Sequence, residues 1–305
     1  MESIVSFAIA LLVAPLFPGV INKVKAFVAG KQGPPLLMKY YTLVKLFRKG
    51  SVYSTSSSYI FKMGPTVSFA ASIMVLLFIP MAGTGAVFSF YGDVIVLFYI
   101  MGIGRFFTIA AALDTASPFE GMGAAREAFF STLAEATIFT VLIIFFRLNG
   151  SLSFADYFYG AQAISLAGPG GALLILVIVA MFMVLLTENS RVPVDDPQTH
   201  LELTMIHEVM ILDHSGPDLA LIELAAFYKL FFYCTFITHL LLPSSLAGGL
   251  ENGLLFYCVL TVMYIAVGIT ESTMARFKMN LVPKYILTSF TLVFFAAILT
   301  MGFVQ

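Results

Sequence analysis

The chain contains no tryptophan, only two cysteines and four histidines among 305 residues, and charged side chains at just 11% of its positions. Cys234 and Cys258 stand far apart in apolar runs with no CxxC spacing, which excludes a disulfide framework and a cluster-binding motif. Charge this sparse, with 60% apolar residues and a mean hydropathy of +0.97, excludes a water-soluble domain of this length. A net charge of −1 argues against nucleic acid as a partner. No Walker loop, GxGxxG, internal repeat or low-complexity linker occurs. His239 stands alone in an apolar run, and a lone span histidine more often hydrogen-bonds a neighbouring helix than ligates haem.

What the sequence does hold is long apolar runs. Stretches of about 20 residues, enough to cross ~30 Å of hydrocarbon, lie near 2–21, 66–86, 93–113, 127–147, 169–188, 218–242, 253–273 and 283–303. The expected fold is an all-α integral membrane protein of about eight transmembrane helices, with residues 1–305 as one polytopic domain. Of the 16 Lys and Arg, eight fall in the loop 22–65, and Arg126, Arg191, Arg276, Lys278 and Lys284 join them on one face, against Arg147 alone on the other. By the positive-inside tendency the basic face is cytoplasmic and both termini are expected outside it. The first span lacks a basic start and a small-residue cleavage site, so it reads as a retained helix. The loop 22–65 is a topology signal that touches anionic lipid or a docked subunit.

The ionisable residues within the spans gather toward that same face. Arg105 lies near the middle of the third span and Asp114 at its end; Glu127 opens the fourth, with Glu135 eight residues further in; Glu188 closes the fifth; Glu223 begins the sixth, with Lys229 beyond it; Glu271 ends the seventh. A charge at the bilayer centre costs at least ~2.5 kcal/mol, so such a set implies pairing, a wet cavity or both. At 100° per residue Glu127, Ser131 and Glu135 form one stripe, whereas Arg105 and Asp114 diverge, so Arg105 needs a partner from another helix. Lys229 diverges from Glu223 in the same way, and Glu135 is a reasonable partner for it. Structural ion pairs gluing a bundle are the plainer alternative, but buried pairs add little net stability over apolar packing. With no ladder reaching the far face, a half-channel that opens on the cytoplasmic side and passes charge sideways is expected.

Residues 188–218 hold seven acids and three histidines between two apolar runs. Asp196 followed by Pro197 predicts a helix start, and LELTMIHEVMIL a helix over 201–212 that ends at the SGPD turn. Such a helix puts His200, Thr204, His207 and Glu208 on one face. Zinc is not expected, since His207-Glu208 has no second histidine four residues on. Proton handling suits histidines and clustered carboxylates better.

At these residues the chain resembles a known family. ENSRVPVDD (188–196), THLELTMIHE (199–208) and LDHSGPDLAL (212–221) look like the membrane subunit of energy-converting nickel–iron hydrogenases of the formate hydrogenlyase and hydrogenase-4 type, itself homologous to subunit 1 of respiratory complex I. The likeness extends through KQGPPLLMKYYTLVKLFRK (31–49), ALDTASPFEGMGAAREAF (112–129) and ESTMARFKM (271–279). It implies a complex I subunit 1-like bundle, with Arg126, Glu135, Glu188, Arg191, Pro193, Asp195 and Glu202 at family positions. The complex I branch has Phe-Asp where this chain has Val194-Asp195, and Glu-Tyr-Ser-Gly where it has Asp213-His214-Ser215-Gly216, which puts a quinone site in doubt.

The expected role is a non-catalytic anchoring and ion-coupling subunit. It would bind no cofactor of its own, with nickel–iron and iron–sulfur centres on partners: hydrogenase large and small subunits, a ferredoxin-like subunit and antiporter-like membrane subunits. Ion coupling is assigned to Arg105, Asp114, Arg126, Glu127, Glu135, Glu188, Asp195, Glu202, Glu208, Asp213, Glu223 and Lys229. Subunit docking is assigned to Lys31, Lys39, Lys45, Arg48, Arg191, His200 and His207. The alternatives are the quinone-pocket subunit of a complex I-type NADH dehydrogenase and an independent secondary transporter; the latter should show repeated halves and broken spans.

Overall fold

A computed structural model describes residues 2–159, 171–196, 205–242 and 250–303. Among them the secondary structure is helical apart from one isolated bridge, Met81 to Thr84. The helices are α1 (Glu2–Val13), α2 (Phe17–Val28), α3 (Met38–Phe47), α4 (Tyr59–Phe78), α5 (Asp93–Asp114), α6 (Pro118–Asn149), α7 (Phe154–Tyr159), α8 (Gly171–Glu188), α9 (His207–Met210), α10 (Gly216–Leu241), α11 (Leu250–Thr273) and α12 (Val282–Phe303). Eight segments are long and apolar enough to cross a membrane: α1 with α2, then α4, α5, α6, α8, α10, α11 and α12. Each expected span is matched by one of them.

Local chemistry sets the boundaries. The first span is two helices joined by a 3-10 turn at Ala14–Leu16, where Pro15 and Pro18 remove backbone donors. Ser58 caps α4 through its side chain, which accepts from Ile60 N at 3.2 Å, and the Asp114 carboxylate adds Ser58 N at 2.6 Å and Phe61 N at 3.3 Å. The fourth span starts nine residues earlier than hydropathy predicts, because Pro118 suits the first helical turn and buried Glu120 sits beside its free N–H groups. Arg126 and Glu127 therefore belong to the helix. On the opposite face Asp93, fully buried, accepts from Ser153 Oγ at 3.0 Å and Phe154 N at 3.1 Å and so anchors α7.

The central pillar is α10, whose Phe231, Phe232, Tyr233 and Phe236 are all but inaccessible. Around it, α4 lies between α5 and α10, α12 covers α6 and α8, and α11 packs on α2. Within lipid, helices associate by close packing and interhelical polar contacts, because the acyl chains are as apolar as leucine. Small residues supply that closeness: a Cβ at Gly64 would lie 2.8 Å from that of Ala111, and one at Gly104 3.1 Å from that of Ala71.

The segment after α8 departs from expectation. Residues 197–204, which carry His200, Glu202 and the helix start expected at Asp196-Pro197, lie outside the described residues. Met205 and Ile206 are not helical, so no single helix runs over 201–212; only His207–Met210 is helical. The cause is tertiary. The Asp195 carboxylate accepts from Ile206 N and His207 N, both at 3.1 Å, and starts a new helix there.

Gly123 of α6 seats that short helix, since a Cβ there would fill the space of a Val209 methyl and lie 2.9 Å from the Ile206 carbonyl oxygen. Gly123→Ala should destabilise the protein by about 1–3 kcal/mol through overpacking. Pairing it with Val209→Ala should recover part of the loss, as read by thermal unfolding in detergent; equal stability of Gly123→Ala and the native chain would show that α9 is not seated on this face.

Candidate functional site

Arg105 projects from the inner part of α5 and joins two carboxylates from different helices. One guanidinium nitrogen donates to Glu135 Oε1 on α6, and the other to Glu188 Oε2 on α8 at 2.7 Å. Lys229 of α10 adds its ammonium to the same Glu188 oxygen at 2.9 Å. The Glu188 side chain is 1% exposed and that of Glu135 41%. Four helices thus meet at one charge cluster. Lys229 pairs with Glu188 and not with Glu135, the candidate that sequence offered, because the end of α8 brings Glu188 within its reach.

The depth of this cluster corrects a second expectation. Arg105 lies nine residues, about 13 Å, inside the end of α5, and Lys229 thirteen residues, about 19 Å, inside the start of α10. Glu188, the last residue of α8, reaches both, so α8 ends below the membrane face and the chain leaves it while still within the protein. Non-helical backbone at that depth is tolerated where it is enclosed by protein or lines a cavity. Asn189 and Ser190 do line one.

Two cavities flank Arg105. An inner one of ≈ 100 Å³ is lined by Ser68, Ser72, Thr108, Glu127, Glu188, His207 and Lys229; the other, of ≈ 240 Å³, by Phe98, Tyr99, Glu135, Phe139 and Tyr233. Arg105 lines both, so its guanidinium stands between them. The inner cavity is large enough for ordered water, and Glu188 Oε1 and Arg105 Nε are buried without a protein partner among the described residues. Glu127 forms no ion pair among the described residues but faces the field of Arg105, Lys229 and Glu188. It completes the stripe with Ser131 and Glu135 that the spacing predicts.

Two further networks hold the α8–α10 connection over this chamber. Glu271 at the end of α11 is approached by Lys25 at 3.0 Å, as a charge contact without aligned hydrogen-bond geometry, and by Arg191 at 3.2 Å. Asp195 pairs with Arg276 at 2.7 Å as well as capping α9. Arg126 donates to the Met205 carbonyl at 2.9 Å, and Glu120 accepts from Asp213 N at 3.1 Å. Asp195, Arg126 and Asp213 therefore organise the connection instead of lining the cavity, and Asp114 caps α4 away from it.

Of the docking set, Lys31, Lys45 and Arg48 are exposed, whereas Lys39 lies 5.5 Å over the Phe227 ring. Arg191 points inward to Glu271, and His207 lines the inner cavity. Glu120, Lys25, Glu271 and Arg276 were not among the assigned site residues. In sequence Lys25 and Arg276 carry only a topology signal, and Glu120 carries none beyond its place in the 112–129 motif.

Titration outside the spans follows burial. Glu208, partly buried, is pushed up to about 7, first by desolvation and then by Asp195 and Glu223, against the pull of Lys39 and Arg191. His207 is held down to about 4 by burial and then by Lys229, with Asp195 opposing. His214, stacked on Phe61 at 4.0 Å, is also held down to about 4 by burial, with Asp218 and Asp213 opposing.

The family model described as NADH dehydrogenase matches residues 1–302. Hydrogenase-4 component C of Escherichia coli strain K12 is 28% identical over 290 residues, 93% of this chain and 90% of that protein. Formate hydrogenlyase subunit 4 of the same strain is 26% identical over 304 residues, 97% of this chain and 95% of its own. NADH-ubiquinone oxidoreductase chain 1 of Chondrus crispus is 26% identical over 244 residues, 77% of this chain and 72% of its own. Among solved structures, a chain of the membrane-bound sulfane sulfur reductase, an archaeal respiratory membrane complex, superposes with a TM-score of 0.84 at 21% identity, covering 97% of both chains. The fold is therefore shared with that chain.

Removing one partner of a buried pair costs more than the pair contributes, about 3–5 kcal/mol, since the remaining charge is stranded. Glu188→Gln strands Lys229 and leaves Arg105 with Glu135 alone, and should fall in that range, whereas Glu135→Gln leaves both cations on Glu188 and should cost less. Thermal unfolding of the two variants checks the order, and equal costs would contradict the shared-carboxylate geometry. The histidines give a pH test. With folded values near 4 and an unfolded value of 6.5, the unfolded chain binds more protons between them, so stability present above pH 6.5 is lost as pH falls through 6.5 toward 4. The unfolding temperature should drop on acidification in that window, and His207→Gln with His214→Gln should flatten the drop.

Proposed function

The chain belongs to the NADH dehydrogenase family, and from that membership and its hydrogenase relatives we propose that it is the membrane-anchoring and ion-coupling subunit of a multisubunit nickel–iron hydrogenase of the formate hydrogenlyase kind. It docks a hydrophilic redox arm on its basic face, which is cytoplasmic with both termini opposite, and links that arm's reaction to proton or sodium movement through antiporter-like membrane subunits. The nickel–iron and iron–sulfur centres reside on those partners. The near-complete coverage of the two hydrogenase relatives supports this reading over the quinone-pocket role, for which the relative covers less of the chain.

The observation that carries the coupling role is the Arg105 guanidinium shared between Glu188 and Glu135. A unit charge about 4 Å away is worth roughly 4 kcal/mol at an effective dielectric of 20, so neutralising Glu188 from the inner cavity leaves Arg105 to Glu135 alone and changes the field across the guanidinium. A change of charge on one side of Arg105 is thereby felt on the other. Such a relay needs no redox centre in this chain, only a partner that changes the charge or hydration of the inner cavity during turnover. Glu208, pushed up to about 7 by burial and by Asp195 and Glu223, supports a reading in which it exchanges protons with the basic face, and Glu202 belongs to the same segment.

Copurification tests the assignment directly. A tagged chain should bring down nickel–iron large and small subunits; an NADH-oxidising module with bound quinone would overturn it. In the complex, Glu135→Gln or Glu202→Gln should leave assembly intact while slowing turnover or abolishing ion pumping in proteoliposomes, and undiminished pumping in both would reduce these acids to structural roles.

A further inference from the structure

We propose that α3 is an interfacial helix that binds anionic phospholipid on the basic face of the membrane, with apolar residues of its outer face among the acyl chains and Lys45, Arg48 and Lys49 at the headgroups. The argument begins with charge. From Asn22 to Pro65 the sequence has eight cations and no acid. Three of the eight are engaged inside the protein: Lys25 with Glu271, and Lys39 and Lys62 over the Phe227 and Tyr53 rings. Lys45, Arg48 and Lys49 are exposed and form no ion pair among the described residues. They call for an anion from outside the chain.

Helical phase places that anion beside an apolar surface. One side of α3 is spent on α10, where Leu43 and Leu46 pack with Ala220, Leu224 and Phe227. The opposite side carries Leu37, Tyr41 and Val44, which are 48%, 62% and 50% exposed, together with Lys45 and Arg48. Large apolar residues that exposed, adjoining unpaired cations on one helix, are the pattern of a helix lying in the headgroup boundary.

Depth decides between lipid and a soluble partner. The Leu36 carbonyl occupies the space a Cβ at Gly19 would fill, and Gly19 is two residues inside the end of the first span expected near 2–21. The Tyr40 hydroxyl donates to the Leu12 carbonyl, deeper still in the first span. At the other end, the Lys49 and Gly50 carbonyls lie 3.2 and 2.6 Å from where a Cβ at Gly216 would stand, at the start of α10. The helix therefore runs from the edge of the first span at Leu36, with Tyr40 reaching to Leu12 below it, to the start of α10 at Lys49. Its apolar residues are at the deep end and its free cations at the shallow end, which is the order that an inserted phospholipid presents. A water-soluble acidic protein would match the shallow end alone. Lys45 and Arg48 thus serve lipid, and Lys31 remains for the redox arm.

The absence of tryptophan makes a reporter simple. Tyr41→Trp in the full chain, reconstituted in phosphatidylcholine vesicles with brominated phosphatidylglycerol or brominated phosphatidylcholine at equal mole fraction, should be quenched at least about twofold more by the anionic lipid, given the attraction of several basic residues. High salt, or Lys45→Gln with Arg48→Gln and Lys49→Gln, should equalise the two lipids while leaving quenching itself in place. Val44→Trp serves as a second reporter if the first variant fails to fold. Equal quenching by both lipids, or a preference that survives the triple substitution, overturns the headgroup assignment; no quenching by either assigns the face to a protein partner and overturns the proposal.

Discussion

A carboxylate shared by two cations is the constraint on which the rest of this architecture rests. Glu188 holds Arg105 and Lys229 at 2.7 and 2.9 Å in a place where any one of the three charges alone would be prohibitively costly. The three helices that supply them are fixed relative to one another by that need. So is the recessed end of α8, which must stop at the carboxylate. Backbone groups of the described part of the connection that follows are met by Asp195, Arg126 and Glu120, and Arg191 ties it to Glu271 on α11.

From the same constraint follows the asymmetry between the two sides of Arg105. Toward the inner cavity lie Glu127, Glu188, Lys229 and neutral His207, set among apolar side chains such as Val75, Met101 and Ile222. Toward the other cavity lie Glu135 and a wall of Phe98, Tyr99, Phe139 and Tyr233. A fixed guanidinium between two carboxylates of unequal exposure makes the proton affinity of each depend on the other, which is the minimum physical requirement for passing a charge sideways through a membrane subunit without a redox group.

The fold was legible in the sequence because apolar length is a strong signal in lipid, and all eight spans follow from it. Boundaries were legible only where composition and capping agree. α6 begins nine residues early because Pro118 and Glu120 make a helix start that hydropathy averages away. Within the site, the phase argument that Arg105 must look to another helix holds, since that argument depends on one helix at a time. The partner of Lys229 was not readable, because Glu135 and Glu188 both qualify by chemistry and only three-dimensional position separates them. The helix expected over 201–212 failed for a related reason: its periodicity is genuine, yet the Asp195 carboxylate, ten and more residues upstream, captures Ile206 N and His207 N and restarts the chain. Buried pairings such as Lys25 with Glu271 left no mark, since a lysine near a span end reads as topology whatever it touches.

The central claim is that proton occupancy of the carboxylates around Arg105 changes during a partner's redox turnover. Redox-triggered infrared difference spectroscopy on the purified complex measures this most directly, because a carboxyl group that gains or loses a proton moves a carbonyl stretching band well clear of the amide region. The account requires such a band on turnover, lost in Glu135→Gln and displaced in Glu188→Gln. A difference spectrum without carboxyl bands, or with bands identical in the native complex and both variants, would contradict it.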